Sequence, residues 1–141
     1  MTFQTDVLSI LSTNWNCDNT KNITPLIGER INYKRISGES ILLYDVSDTE
    51  QDNCSGGQSK SRSMSIGLQI TSFKTQEHRE LYIEEIRRIF NSPTFQTYPF
   101  SGENWDFQDI TEIRRRASSV GYYPCNIIMK FEQLNKVYDT I

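Results

Sequence analysis

Residues 63–90 read SMSIGLQITSFKTQEHRELYIEEIRRIF, and this stretch decides the fold. Met64, Ile66, Leu68 and Ile70 alternate with Ser65, Gly67, Gln69 and Thr71. A period of two marks a strand with one buried face. Phe73, Lys74 and Thr75 make the connection, and the Thr75 hydroxyl is placed to cap a helix. From Gln76 to Phe90 the period becomes helical. Tyr82, Ile86, Ile89 and Phe90 fall on one face with Leu81 beside them, while Glu80, Glu84, Glu85, Arg87 and Arg88 are left for water. Glu84 and Arg88 are spaced for a weak surface pair. Pro93 follows Asn91 and Ser92, and a helix cannot run through it. Nothing in this unit is a reactive group; it reads as a scaffold.

Outward from that unit, Thr2 to Trp15 predicts a short helix, with Phe3, Val7, Leu8, Leu11 and Trp15 on one stripe. Residues 14–24 are rich in Asn, Asp and Thr, which favour turns, and Pro25 ends them. Ile31 and Tyr33 alternate with polar neighbours, then Ser37–Gly38–Glu39–Ser40 supplies a turn before the apolar run Ile41–Val46. These two runs are expected to form a hairpin. Ser47 to Arg62 has no periodic pattern and contains Gly56–Gly57. It reads as a long mobile loop, either functional or disordered. After a connector with Pro93, Pro99 and Gly102, a strand is expected over Trp105–Ala117. Trp105, Phe107, Asp109, Thr111 and Ile113 would share a face, with Asp109 out of place. Beyond a turn around Gly121, Cys125, Ile127, Met129 and Phe131 alternate with polar neighbours and Ile128 in a further strand. The tail, Leu134 to Ile141, either extends that strand or reaches a neighbour. The order predicts an α+β fold in a single domain, 1–141, with a long mobile loop at 47–62. Its sheet would be mostly antiparallel, of about four to five strands, with two helices packed on one face.

Composition sets limits on function. A chain of 141 residues can bury a core without metals or disulfides. A net charge of -3 argues against a general nucleic-acid binder. Cys17, Cys54 and Cys125 are odd in number and far apart, without a C-x-x-C pair, so free thiols are expected rather than zinc ligands. No apolar run approaches the roughly 20 residues of a membrane span, and the N-terminus lacks a signal pattern. The expectation is a protein made and kept, or assembled, inside a cell.

No candidate chemistry is compelling. His78 stands alone at the start of its helix and reads as a surface residue. Glu84 and Glu85 are adjacent and so point apart on a helix. Asp45, Asp48, Glu50 and Asp52 suggest a hard cation, but the spacing lacks the glycine and terminal glutamate of a calcium loop. Gly56–Gly57 matches neither phosphate-binding glycine pattern. No enzyme, cofactor or metal is expected. Arg114, Arg115 and Arg116 form the densest charge, with Arg115 on one face and its neighbours on the other. They read either as an exposed strand end or as a positive rim for phosphate or an acidic partner.

The whole order resembles the tail-terminator and tail-completion proteins of tailed bacterial and archaeal viruses. The residues that carry the resemblance are the helix ending near Trp15, the Asn-rich turn and Pro25. They include SMSIGLQI passing into EHRELYIEEIRRIF, and the closing strand NIIMKFE. The resemblance implies a structural subunit that closes into a ring, usually a hexamer. That ring would cap the tail tube and join it to the head connector in the neck of the virion, after assembly in the host cytoplasm. Its partners would be copies of itself and neighbouring neck and tail-tube proteins, with no membrane and no specific nucleic acid. A head-closure protein or tail-tube subunit is the alternative within that class. A small nucleic-acid-binding module, motivated by Arg114–Arg116, is the rival outside it. A ring needs two different patches on each subunit. The candidates are Lys60 and Arg62 on one side, and Arg114, Arg115, Arg116, Leu134, Val137, Tyr138 and Ile141 on the other. The apolar tail would fold back on its own chain or pack on a neighbour, and the neighbour is the expectation.

Overall fold

A computed structural model describes residues 2–52, 59–100 and 102–137. It is an α+β fold. The elements run α1 (Phe3–Asn14), β1 (Leu26–Glu29), β2 (Ser40–Asp52), β3 (Ser59–Ser72), α2 (Gln76–Phe90), β4 (Thr97–Phe100), β5 (Glu103–Arg115) and β6 (Tyr123–Val137). Six strands form one sheet in the order β1-β2-β3-β6-β5-β4. Only β1 and β2 are parallel; the other neighbours are antiparallel.

The decisive stretch folds as its pattern requires. Met64, Ile66, Leu68 and Ile70 of β3 are buried beside Cys125, Ile127, Met129 and Phe131 of β6. Phe3, Val7, Leu8, Ile10 and Leu11 of α1 and Tyr82, Ile83, Ile86, Ile89 and Phe90 of α2 pack against that same face. Thr75 caps α2 through its hydroxyl, which accepts from the His78 N–H at 3.1 Å. Thr2 and Thr5 form a reciprocal cap on α1. Phe131 lies at the centre of an aromatic cluster with Phe3, Phe90, Phe100 and Phe107, all within 5.7 Å between ring centroids. Such contacts add to the stabilisation from area burial alone.

Several expectations need correction. The sheet has six strands rather than four or five. The expected hairpin between 26–36 and 41–46 is a parallel pair: Leu26–Glu29 lie beside Ser40–Leu43, and Arg30–Asn32 form a 3-10 turn. Ile31 is 88% exposed there. Tyr33 folds back so that its ring covers Gly28, where a Cβ would lie 3.2 Å from Cε2. The expected loop at 47–62 is mostly strand. β2 and β3 stay paired from Ser47↔Ser65 to Asp52↔Lys60, and only residues 53–58 lie outside the described residues. In β5, register shifts fall between Phe107 and Asp109 and between Ile110 and Glu112. These bulges turn Ile110 toward the helices in place of Asp109 and Thr111, and Ile113 packs against the core as expected. In α2, Leu81 is only partly buried, while Arg79 and Glu85 are each 2% exposed.

Candidate functional site

The helix-covered core ends at one end of the sheet with Met64, Trp105 and Phe131. Beyond it, β2, β3 and β6 continue as a three-stranded extension. Its rungs include Glu50↔Arg62↔Gln133 and Asp52↔Lys60↔Lys136. On the helix side the alternation now carries Asp48, Glu50 and Arg62 in place of apolar residues. Arg62 closes the end of the core. Its guanidinium lies 5.0 Å from the Trp105 ring centroid and meets Asp48 at 2.8 Å, Glu103 at 2.8 Å and Glu50 at 3.6 Å. A cation over an indole face and ringed by three carboxylates is anchored, unlike a lone surface charge. This arrangement also accounts for the acidic residues considered for a cation. Asp48 and Glu50 turn toward Arg62, and Asp45 sits on the other face of β2.

The second expected patch divides. Arg115 forks onto Glu80, with Nε–Oε1 and Nη2–Oε2 both 2.7 Å. This pairing, opposed by partial burial and reinforced by Arg79, holds the Glu80 carboxyl below its ordinary pKa. Arg79 in turn donates to the Pro124 carbonyl at 3.3 Å and to Ser118 Oγ at 3.4 Å. The arginine run is therefore tied on one side into the helix layer. Arg114 points to the opposite face and pairs with Glu112 at 2.7 Å, and Arg116 follows the strand end, exposed. Arg62 and Arg114–Arg116 lie toward opposite ends of the sheet and do not converge. Lys60, Leu134 and Val137 are placed by their backbones in the extension, with Ser59 opposite Val137. Tyr138 and Ile141 lie outside the described residues.

Two polar clusters escaped the sequence reading. Glu85 accepts from the Asn16 N–H at 2.8 Å, Asn19 Nδ2 at 3.0 Å and both Arg88 Nε and Nη2 at 2.7 Å. Burial pushes its carboxyl up, but the Arg88, Asn16 and Asn19 hydrogen bonds outweigh that, and its pKa lies below the ordinary value. Glu39 receives Ser72 Oγ at 2.6 Å, the Phe73 N–H at 2.6 Å and the Tyr82 hydroxyl at 2.7 Å. Burial, then the hydrogen bond to Glu39 and its charge, raise the Tyr82 pKa well above its ordinary value, so the phenol stays a donor. Both clusters join elements distant in sequence, which no local pattern reveals. Both use their hydrogen-bonding capacity internally and pin those elements together.

Among the described residues no three or more His, Cys, Asp or Glu side chains gather as a metal site. Cys17 and Cys125 are free, and burial raises the Cys125 thiol pKa. Among the described residues no helix is long and apolar enough to cross a membrane. Among the described residues, backbone without a strand partner lies along the two partly covered sheet margins. Neither the protein-family models nor the curated proteins searched gave a match to this chain.

Proposed function

We propose that this chain is a structural subunit of the neck or tail of a tailed virus, a tail terminator that closes into a ring, six copies around. The ring caps the tail tube and joins it to the head connector. The observation that supports this reading best is the extension of β2, β3 and β6 beyond the helix layer. Strands that leave their own core gain little from it and need another surface to lie against. The polar helix-side residues of the extension, anchored at Arg62, suit a contact that forms in water and orders on assembly. The internal use of Glu39, Glu80 and Glu85 fits a building block better than an enzyme.

Within this reading, Lys60 and Arg62 stand with Leu134 and Val137 on one contact side, in the extension. Arg114, Arg115 and Arg116, at the other end of the sheet, lie on the other, and Leu134 and Val137 do not join them as the sequence suggests. Deleting Lys136–Ile141 removes the last rungs of β6 and the apolar residues after them. The shortened chain is expected to stay folded by circular dichroism and to be missing from particles purified after complementation. Normal incorporation of the shortened chain would overturn this interface, and loss of folding would place the tail in the subunit's own core.

A further inference from the structure

Each margin of the sheet is covered by a strand over only four of its 13 residues, and at opposite ends. On one margin β1 covers β2 from Ser40 to Leu43 only. Among the described residues, the outer side of β2 has no strand partner from Tyr44 to Asp52. On the other margin β4 covers β5 from Glu103 to Asp106, and Phe107 donates to the Gln96 carbonyl at 2.8 Å. Beyond Phe107, among the described residues, the outer side of β5 has no strand partner up to Arg115.

The rungs give the relative heights. Thr97 of β4 pairs with Asp106, which pairs with Glu132, then Ser63, then Thr49 of β2. Glu29 of β1 stands level with Leu43, Leu68, Ile127 and Ile113. So β1 fills one strand position over the lower rungs, and β4 fills one over the upper rungs of the opposite margin. The strand directions also agree. From the pairings, β1, β2, β6 and β4 run one way, β3 and β5 the other. Rotation about an axis along the strands preserves those directions.

We infer that neighbouring copies of this chain join as a half-lap: β4 of one copy occupies the strand position that β1 leaves vacant beside β2 of the next. In that joint β4 runs parallel to the neighbour's β2, in line with the neighbour's β1. That same β1 lies antiparallel to the uncovered part of β5. This deepens the ring reading above and rests on it. The occupant is a second copy because its margin matches in height and direction, and the contact is heterologous, as a ring requires.

Two local features fit. Where β1 ends, a groove of about 430 Å3 opens beside Tyr44 and Val46, rimmed by the exposed Ile31. Apolar surface is left uncovered at the one stretch that neither β1 nor an incoming β4 spans. The Phe107–Gln96 hydrogen bond also sets the alternation in β4, so Thr97 turns its backbone groups outward, while the Pro99 carbonyl accepts from the Gly102 N–H at 3.3 Å. Pro99 has no N–H to give and blunts the margin against indiscriminate pairing, while Thr97 keeps both groups free for one register.

The test is a disulfide across the joint. Thr49 and Thr97 are exposed and stand on one rung and one face. Adjacent strands bring such positions within disulfide range. The full-length chain is made with Thr49→Cys and Thr97→Cys in a Cys17→Ser, Cys54→Ser background, and folding is checked by circular dichroism. Oxidation should give a ladder of covalent oligomers on a non-reducing gel, while either cysteine alone gives none. Light scattering on the unoxidised protein separates the two ways of failing. Oligomers without a cross-link would overturn the half-lap and leave the ring; a monomer would overturn both.

Discussion

Arg88 is half exposed, yet replacing it should cost far more than a surface residue does. Its guanidinium donates twice to Glu85 at 2.7 Å and once to the Asn14 carbonyl at 3.0 Å. The Glu85 side chain is 1% exposed. An ordinary surface pair contributes up to about 1 kcal/mol. Removing one partner of a buried pair costs roughly 3–5 kcal/mol, because the other charge is stranded. After Arg88→Ala, Glu85 keeps the Asn16 and Asn19 donors, so a loss of about 2–3 kcal/mol is expected, between those limits. Glu85→Gln removes the charge but keeps an acceptor, and should cost about 1–2 kcal/mol. The two changes should also differ with pH. Because the folded-state pKa of Glu85 is depressed, its contribution is present above the unfolded value near 4.5 and is lost as pH falls through the lower folded value. Glu85→Gln should therefore flatten the acid limb of the stability curve. Urea unfolding at neutral pH and down through pH 4 measures both effects. A loss below about 0.5 kcal/mol for Arg88→Ala would show that Glu85 is not held as described, since exposed substitutions fall in that range.

Leu68, fully buried at the centre of β3, should not tolerate Leu68→Asp. An unpaired buried carboxylate costs several kcal/mol, comparable to a domain's whole stability, so the variant should appear in the insoluble fraction; soluble, folded protein would mean the strand register is wrong. Arg62→Ala should lower stability by about 1–2 kcal/mol through loss of the Trp105 contact and three carboxylate partners, and should shift Trp fluorescence to the red as water reaches the indole. An unshifted spectrum would contradict the stacking.

The elements legible in the sequence are those with one face on the helices and one in water throughout. Residues 64–70 and 125–131 alternate without interruption, and α1 and α2 carry clear stripes. The strands that were missed break that condition. Residues 47–52 and 59–62 are paired but lie past the helices, so their helix-side positions are Asp48, Glu50 and Arg62 and the apolar period disappears. In β5 two bulges reset the alternation, so Ile110 replaces Asp109 on the inner face. Between β1 and β2 the pairing is parallel, with the Tyr33 ring lying over Gly28, and periodicity encodes neither feature. In the polar clusters, Glu85 and Arg79 look solvated on a helical wheel. They are buried because residues 16–20 and 118–124 pack over them. The grouping of the patch residues is not legible in the sequence: the β3–β6 register sets Leu134 and Val137 beside Lys60 and Arg62, not beside Arg114–Arg116.

We propose that this chain closes into a ring. Native mass spectrometry of the purified full-length protein, paired with negative-stain images, checks this. A sixfold ring gives a single dominant species of six times the 16.4 kDa chain mass, seen as closed rings. A strict monomer at every concentration tried, binding oligonucleotides with a steep salt dependence, would contradict the ring and favour a nucleic-acid-binding module instead.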